Sequence, residues 1–275
     1  MTSRWRRAGS RGGAFRRGRV WLLAALVALP IAAAAVVAVA YPAVAAATCP
    51  GCYGLERLAG DVYAEQGLPP YRKRQVVSAV EEAERRVRDF YGDRRASPRI
   101  LACLSDRCYR RIGGGGERGV AVLNRAVMLS PSGVDPVIAS HEMSHVELHA
   151  RLDSGAEVPQ WFDEGLAVLV SGDPRYLAPE TAPGTAPDTV PDTVPDTVPD
   201  TAPGTAADRC LVSTDAPLPA TLDAWLRAAG ADRTTYARAA CRVSRWVAAN
   251  GGPHVVLDLV RRLDAGETFG AVTGM

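Results

Sequence analysis

Lysine is almost missing from these 275 residues: Lys73 is the only one, and arginine carries the rest of the positive charge. Outside the N-terminus acids outnumber bases. Seven of the 32 basic residues, and no acid, lie in residues 1–19, so a formal net charge of +2 hides a net negative remainder. Such a remainder offers no footprint for a phosphate backbone, which argues against a nucleic-acid partner. The four-glycine run Gly113–Gly116 is not followed by Lys-Ser or Lys-Thr, so it is a flexible connection and not a phosphate-cradling loop. No charged residue occurs between Val20 and Ala47, and no cysteine precedes Cys49.

The last two absences bear on location. Val20–Tyr41 is 22 residues long, about 33 Å as a helix against a hydrocarbon core of about 30 Å. The arginine cluster ahead of it holds residues 1–19 in the cytoplasm by the positive-inside rule. Two readings of residues 20–47 stay open. One is a signal-anchor, which tethers the rest of the chain on the outer side of the cell membrane. The other is a signal peptide cut near Ala43-Val44-Ala45 or Ala45-Ala46-Ala47, which leaves the protein secreted. Both put residues 48–275 outside the cytoplasm. All six cysteines (Cys49, Cys52, Cys103, Cys108, Cys210 and Cys241) fall there, an even number suited to an oxidising compartment. Proximity in sequence suggests the pairs Cys49–Cys52, Cys103–Cys108 and Cys210–Cys241. A second zinc site on the first four is the alternative.

Residues 48–70 carry several Gly and Pro and read as a connector. Residues 71–275 read as one domain, long enough for one sizeable core. Within it, Arg72–Tyr91 repeats Val76, Val77, Val80, Val87 and Phe90 at helical spacing. Arg99–Leu104, Val120–Leu123 and Ala126–Leu129 are short apolar runs bounded by Pro and Gly signals, hence expected strands. About residues 180–208 the chain repeats Pro-Asp-Thr-Val. Proline at every fourth position forbids a helix or a central strand, so a disordered insert is expected. Helices are expected again around 221–229, 235–249 and 254–263.

The most informative segment is His141-Glu142-Met143-Ser144-His145. Asp135-Pro136 supplies an N-cap and a first-turn proline, and Val137, Ile138, Ala139, Met143 and Val146 supply an apolar face, so the segment is expected on a helix. His141 and His145 then project from one face, one turn apart, close enough to share a metal ion. Glu142 lies about 100° round the helix, beside that ion, where it can take a proton from water and pass it on. A third ligand is needed. Eighteen residues after His145 comes Glu164, in Pro159-Gln160-Trp161-Phe162-Asp163-Glu164-Gly165-Leu166-Ala167. The gap allows a helix end, a turn and a returning helix. Asp163 and Glu157 are the neighbouring carboxylates that could serve instead. His149 lies about 12 Å along the axis from His141, too far for one ion, and reads as a solvated histidine or one that supports the ligands from behind.

His141-Glu142-x-x-His145, eighteen residues, then Glu164 inside Trp161-x-x-Glu164-Gly165-x-Ala167, resembles the gluzincin metallopeptidases, in particular the smaller peptidase MA-like proteins. The resemblance implies an α+β, zincin-like fold: a small mixed sheet packed against the His-bearing helix, then a helical C-terminal part, here preceded by one transmembrane segment. It implies Zn²⁺ on His141, His145 and Glu164, with Glu142 as general base. It also implies that Tyr236, which opens a helix in Tyr236-Ala237-Arg238-Ala239-Ala240, donates to the oxyanion, although Ala239 replaces the usual Gly. The Gly-x-Met-Glu-Asn strand that anchors a free N-terminus in the related aminopeptidases has no counterpart in Gly119–Asn124 or Arg125–Ser130. The expected function is therefore a membrane-tethered, extracytoplasmic zinc endopeptidase acting on a peptide or protein laid along Ala126–Leu129 as an added strand. A zinc-stabilised binding or scaffolding ectodomain is the alternative of a different class. Retention of Glu142 argues against it, because a structural zinc has no need of that carboxylate.

Overall fold

The computed structural model describes residues 39–153, 155–179, 209–214 and 216–275. Helix α1 (Pro42–Thr48) and one 3₁₀ turn (Pro50–Tyr53) lead into strands β1 (Leu55–Ala59) and β2 (Val62–Glu65). Then come α2 (Pro70–Tyr91), β3 (Arg99–Ala102), α3 (Asp106–Arg111), β4 (Gly119–Val122) and β5 (Ala126–Leu129). The remainder is helical: α4 (Pro136–Arg151), α5 (Gln160–Ser171), α6 (Leu222–Ala231), α7 (Thr234–Ala249), α8 (His254–Asp264) and α9 (Phe269–Thr273). The architecture is α+β, with one small mixed sheet.

The sheet runs β1-β2-β3-β5-β4; its two outer pairings are antiparallel and its two inner ones parallel. Alternation along the central strands splits the core in two. Ile100, Ala102, Val127 and Leu129 face the larger core, under α2 and α4. Leu101, Cys103, Ala126 and Met128 face a smaller one, closed by α1 and α3.

Local chemistry explains the helix ends nearest the site. Asp135 Oδ1 accepts from Val137 N at 2.8 Å and Ile138 N at 3.0 Å, capping α4 just before its proline. Helix α5 stops at Gly172, whose φ of 62° is the left-handed conformation that favours glycine.

Two expectations change, and one alternative is excluded in favour of the expected disulfides. Residues 48–70 are not a connector: they hold β1 and β2, an edge of the sheet. Charged Glu56 and Arg57 on so short a strand conceal the apolar alternation that would have marked it. Strand β5 cannot receive a peptide, because it lies between β3 and β4 with all four residues buried. The open edge on that side belongs to β4. The cysteines of the alternative zinc site are bonded as Cys49–Cys52 and Cys103–Cys108, and Cys210 is bonded to Cys241.

The Pro-Asp-Thr-Val repeat and residues 1–38, with most of the apolar stretch, lie outside the described residues. The end of that stretch, Pro42–Ala47, belongs to α1, where Ala46 is buried against the smaller core. No described helix is long and apolar enough to cross a membrane.

A buried ion pair fastens the far end of α4. Glu147 and Arg151 are only 1% and 4% exposed. Glu147 accepts from Arg95 N at 2.7 Å, Ala96 N at 2.9 Å and Arg151 Nε at 2.8 Å. Arg151 also donates to the backbone of Asp93 at 3.1 Å. The approach to β3 is thereby tied to the helix that carries both histidines. Glu147→Ala should lower the unfolding free energy by about 3 kcal/mol, because it leaves the Arg95 and Ala96 N–H groups without their acceptor and Arg151 with Asp93 as its one remaining carboxylate. Urea denaturation measures this, and a loss under about 1 kcal/mol would show that the pair does not secure the helix.

Candidate metal centre

The site forms where α5 returns beside α4. His141 and His145 come from one face of α4, Glu164 from α5. The Nε2 atoms of His141 and His145 are 3.2 Å apart. Glu164 Oε2 lies 3.4 Å from the first and 3.7 Å from the second. An ion holding tetrahedral N and O ligands at about 2.0–2.1 Å needs donor–donor edges of roughly 3.4 Å. The triangle of donors matches that size, so these three residues could hold a metal ion. All three side chains are largely shielded from solvent.

Around the donors is a second layer. Asp163 accepts from His145 Nδ1 at 2.7 Å and from His149 Nε2 at 2.8 Å. A proton held on Nδ1 leaves the Nε2 lone pair of His145 free to face the ion. Gln160 Nε2 donates to Glu164 Oε1 at 3.1 Å and leaves Oε2 as the ligand atom. Burial would raise the pKa of Asp163, but His145 and His149 outweigh it and hold the carboxylate well below its usual range. Glu164 goes the same way, burial being outweighed by His141 and His145.

Glu142 is different. It is buried beside the triad, yet no side chain hydrogen-bonds to it among the described residues. Burial raises its pKa further than the nearby histidines and the Ala121 backbone lower it. Its neighbour is the backbone of β4. A Cβ on Gly119 would come within 2.7 Å of Glu142 Cγ and 2.8 Å of Ile138 Cγ2, so glycine is what lets the edge strand run this close to the carboxylate.

Tyr236, in the first turn of α7, lies with its ring centroid 6.5 Å from that of His141. It stacks on Tyr176 at 5.1 Å and meets Trp225 edge-on at 5.0 Å. Burial, then the charge of Glu164, raises its pKa, so the phenol stays protonated and can donate. Helix α7 reaches the site because Gly165 allows it: a Cβ there would lie 2.6 Å from Ala239 O. The disulfide Cys210–Cys241 and the bridge Leu177↔Cys210 bring Tyr176 to the same place.

The structure thus brings His141, Glu142, His145, Glu164 and Tyr236 together. It leaves Glu157 exposed and outside the donor group, and it makes Asp163 a partner of two histidines instead of a ligand. Sequence reasoning missed the roles of Gln160 and Gly119. His149, excluded as a ligand by its distance along α4, stands behind the donors as a partner of Asp163. The step from Asp163 to Glu164, one residue on a helix, could have suggested a carboxylate on the neighbouring side of the donor. Compared with family models, with curated proteins and with solved structures, the chain matches none.

Asp163→Asn keeps the shape but offers an amide N–H where one histidine now donates. Metal affinity, measured by competition with a chelating indicator, should fall about 10–100-fold, as it does when such supporting hydrogen bonds are removed. An unchanged affinity would mean that Asp163 does not orient His145.

Proposed function

We propose that this chain is a zinc-dependent endopeptidase, tethered by residues 20–41 with its folded domain on the outer side of the membrane. Two imidazoles and a carboxylate in tetrahedral spacing suit Zn²⁺ better than the oxygen-seeking Mg²⁺ or Ca²⁺. When bound, zinc would act as a Lewis acid, lowering the pKa of water from 15.7 towards about 7 and polarising a carbonyl.

The chain's own residues supply the rest. Glu142 takes the proton of the attacking water and returns it to the departing amine. Its carboxylate is held by the Ala121 backbone and by no side chain, which leaves acceptor capacity for this. Tyr236 donates to the oxygen that gains charge as the carbonyl becomes tetrahedral. The substrate adds as a strand on the open edge of β4, whose Gly119 backbone borders Glu142. No acidic residue lies in β4 or β5 to fix a free N-terminus, so internal bonds are the fitting substrate.

The observation that carries this reading is the donor triangle of His141, His145 and Glu164 with a buried carboxylate at its side that has no side-chain partner. It is tested on a library of quenched peptides with and without chelator. Glu142→Gln should retain zinc and lose turnover by about 10²-fold or more. A variant as fast as the parent would remove Glu142 from the mechanism and point to a contaminant. Tyr236→Phe should lower kcat by about 10²–10³-fold with little change in KM, because the hydrogen bond forms only as charge develops. No loss in this variant would leave the oxyanion to the metal alone.

A further inference from the structure

Helix α1 is built into the domain. Ala46 is buried with Leu55, Leu101 and Met128, and Ala47 O accepts from Arg99 Nη1. Cleavage after Ala45 or Ala47 would take that helix away and uncover the smaller core. Tyr41 O already accepts from Ala45 N at 3.1 Å, so the apolar stretch ending at Tyr41 joins the domain with no spacer. Whatever lies beside α1 must then sit at the bilayer surface.

What lies there is the tip of the β4–β5 hairpin. Val44, Arg99, Leu123 and Arg125 line one cavity of about 380 Å³. Leu123 and Asn124 both adopt left-handed backbone, at φ 49° and 52°. Asn is common at such a turn position, but a bulky apolar residue there is not. Leu123 is also 69% exposed, and Tyr41 is 64% exposed. Neither packing nor turn geometry within this chain accounts for that leucine. Arg125 has no acidic partner among the described residues, and the acid on this face, Asp61, lies 4.0 Å from Arg99. An apolar tip, an interfacial tyrosine and a free arginine together match the chemistry of a lipid headgroup layer.

We propose that the β4–β5 turn is a second membrane contact: Leu123 enters the outer leaflet and Arg125 meets lipid phosphate. This rests on the reading that residues 20–41 span the bilayer, and it requires that the span is not cleaved. The two attachments fix the tilt of the domain. They set Gly119, four residues before Leu123, about 13 Å from the tip at about 3.3 Å per residue, so the candidate site faces chain segments close to the membrane.

The test uses the full chain in vesicles of phosphatidylcholine and phosphatidylglycerol. A nitroxide is placed on Leu123→Cys, on Leu226→Cys in α6 and on Leu29→Cys, the six native cysteines being disulfide-bonded. Collisions with oxygen report lipid, and collisions with a nickel chelate report water. Position 123 should favour oxygen and position 226 nickel, with a label on Asn124→Cys repeating the result should Leu123→Cys fold poorly. A lipid-like signal at 29 with a water-like one at 123 and 124 overturns the second contact alone. A water-like signal at 29 overturns the tether, and this inference with it.

Discussion

Burying charge is the constraint on which this structure depends. A carboxylate taken out of water costs several kcal/mol unless other groups replace its hydration. Four of them (Glu142, Glu147, Asp163 and Glu164) are buried on the neighbouring helices α4 and α5. Glu147 is matched by Arg151 and two backbone N–H groups. Asp163 is matched by His145 and His149, and Glu164 by Gln160 and the histidine pair. Glu142 alone is left without a side-chain partner. The same accounting that keeps α4 and α5 in register therefore leaves one carboxylate without a side-chain partner beside three atoms that could hold a metal ion.

Two glycines set the distances at which that accounting works. Gly165 brings α7 against the backbone of α5, and with it Tyr236 towards His141. Gly119 brings the edge strand against Glu142. At each position a methyl group would meet atoms with no room to yield, Ala239 backbone in one case and a packed pair of α4 side chains in the other. The site is a meeting of three helices and a strand edge, and its spacing comes from what these side chains lack.

Much of this was legible before the fold. Local signals placed α2, β3 to β5, α4, α5, α6, α7 and α8 within a few residues, since capping groups, glycines and helical spacing act over short distances. All three disulfides were legible as sequence neighbours. Strands β1 and β2 were hidden because Glu56, Arg57 and Glu65 interrupt them, and α3 and α9 because they are too short to show a period. The assignment of β5 as an open edge failed for a different reason: strand order is a tertiary choice that no single strand records.

The ligand set is where the sequence by itself decided most. His141 and His145 share a face because a helix turns every 3.6 residues, and the chemistry of an i, i+4 histidine pair is written in five letters. Which carboxylate completes the set was a choice among Glu157, Asp163 and Glu164 that spacing alone left open. Tertiary structure groups Glu164 with the imidazoles: α5 presents Glu164 Oε2 to both of them, where the three could hold a metal ion, and turns Asp163, one residue earlier, onto the Nδ1 side of His145. Adjacent residues on a helix point about 100° apart, so only the packing of α5 on α4 could determine which of the two faces the donor atoms and which supports them from behind.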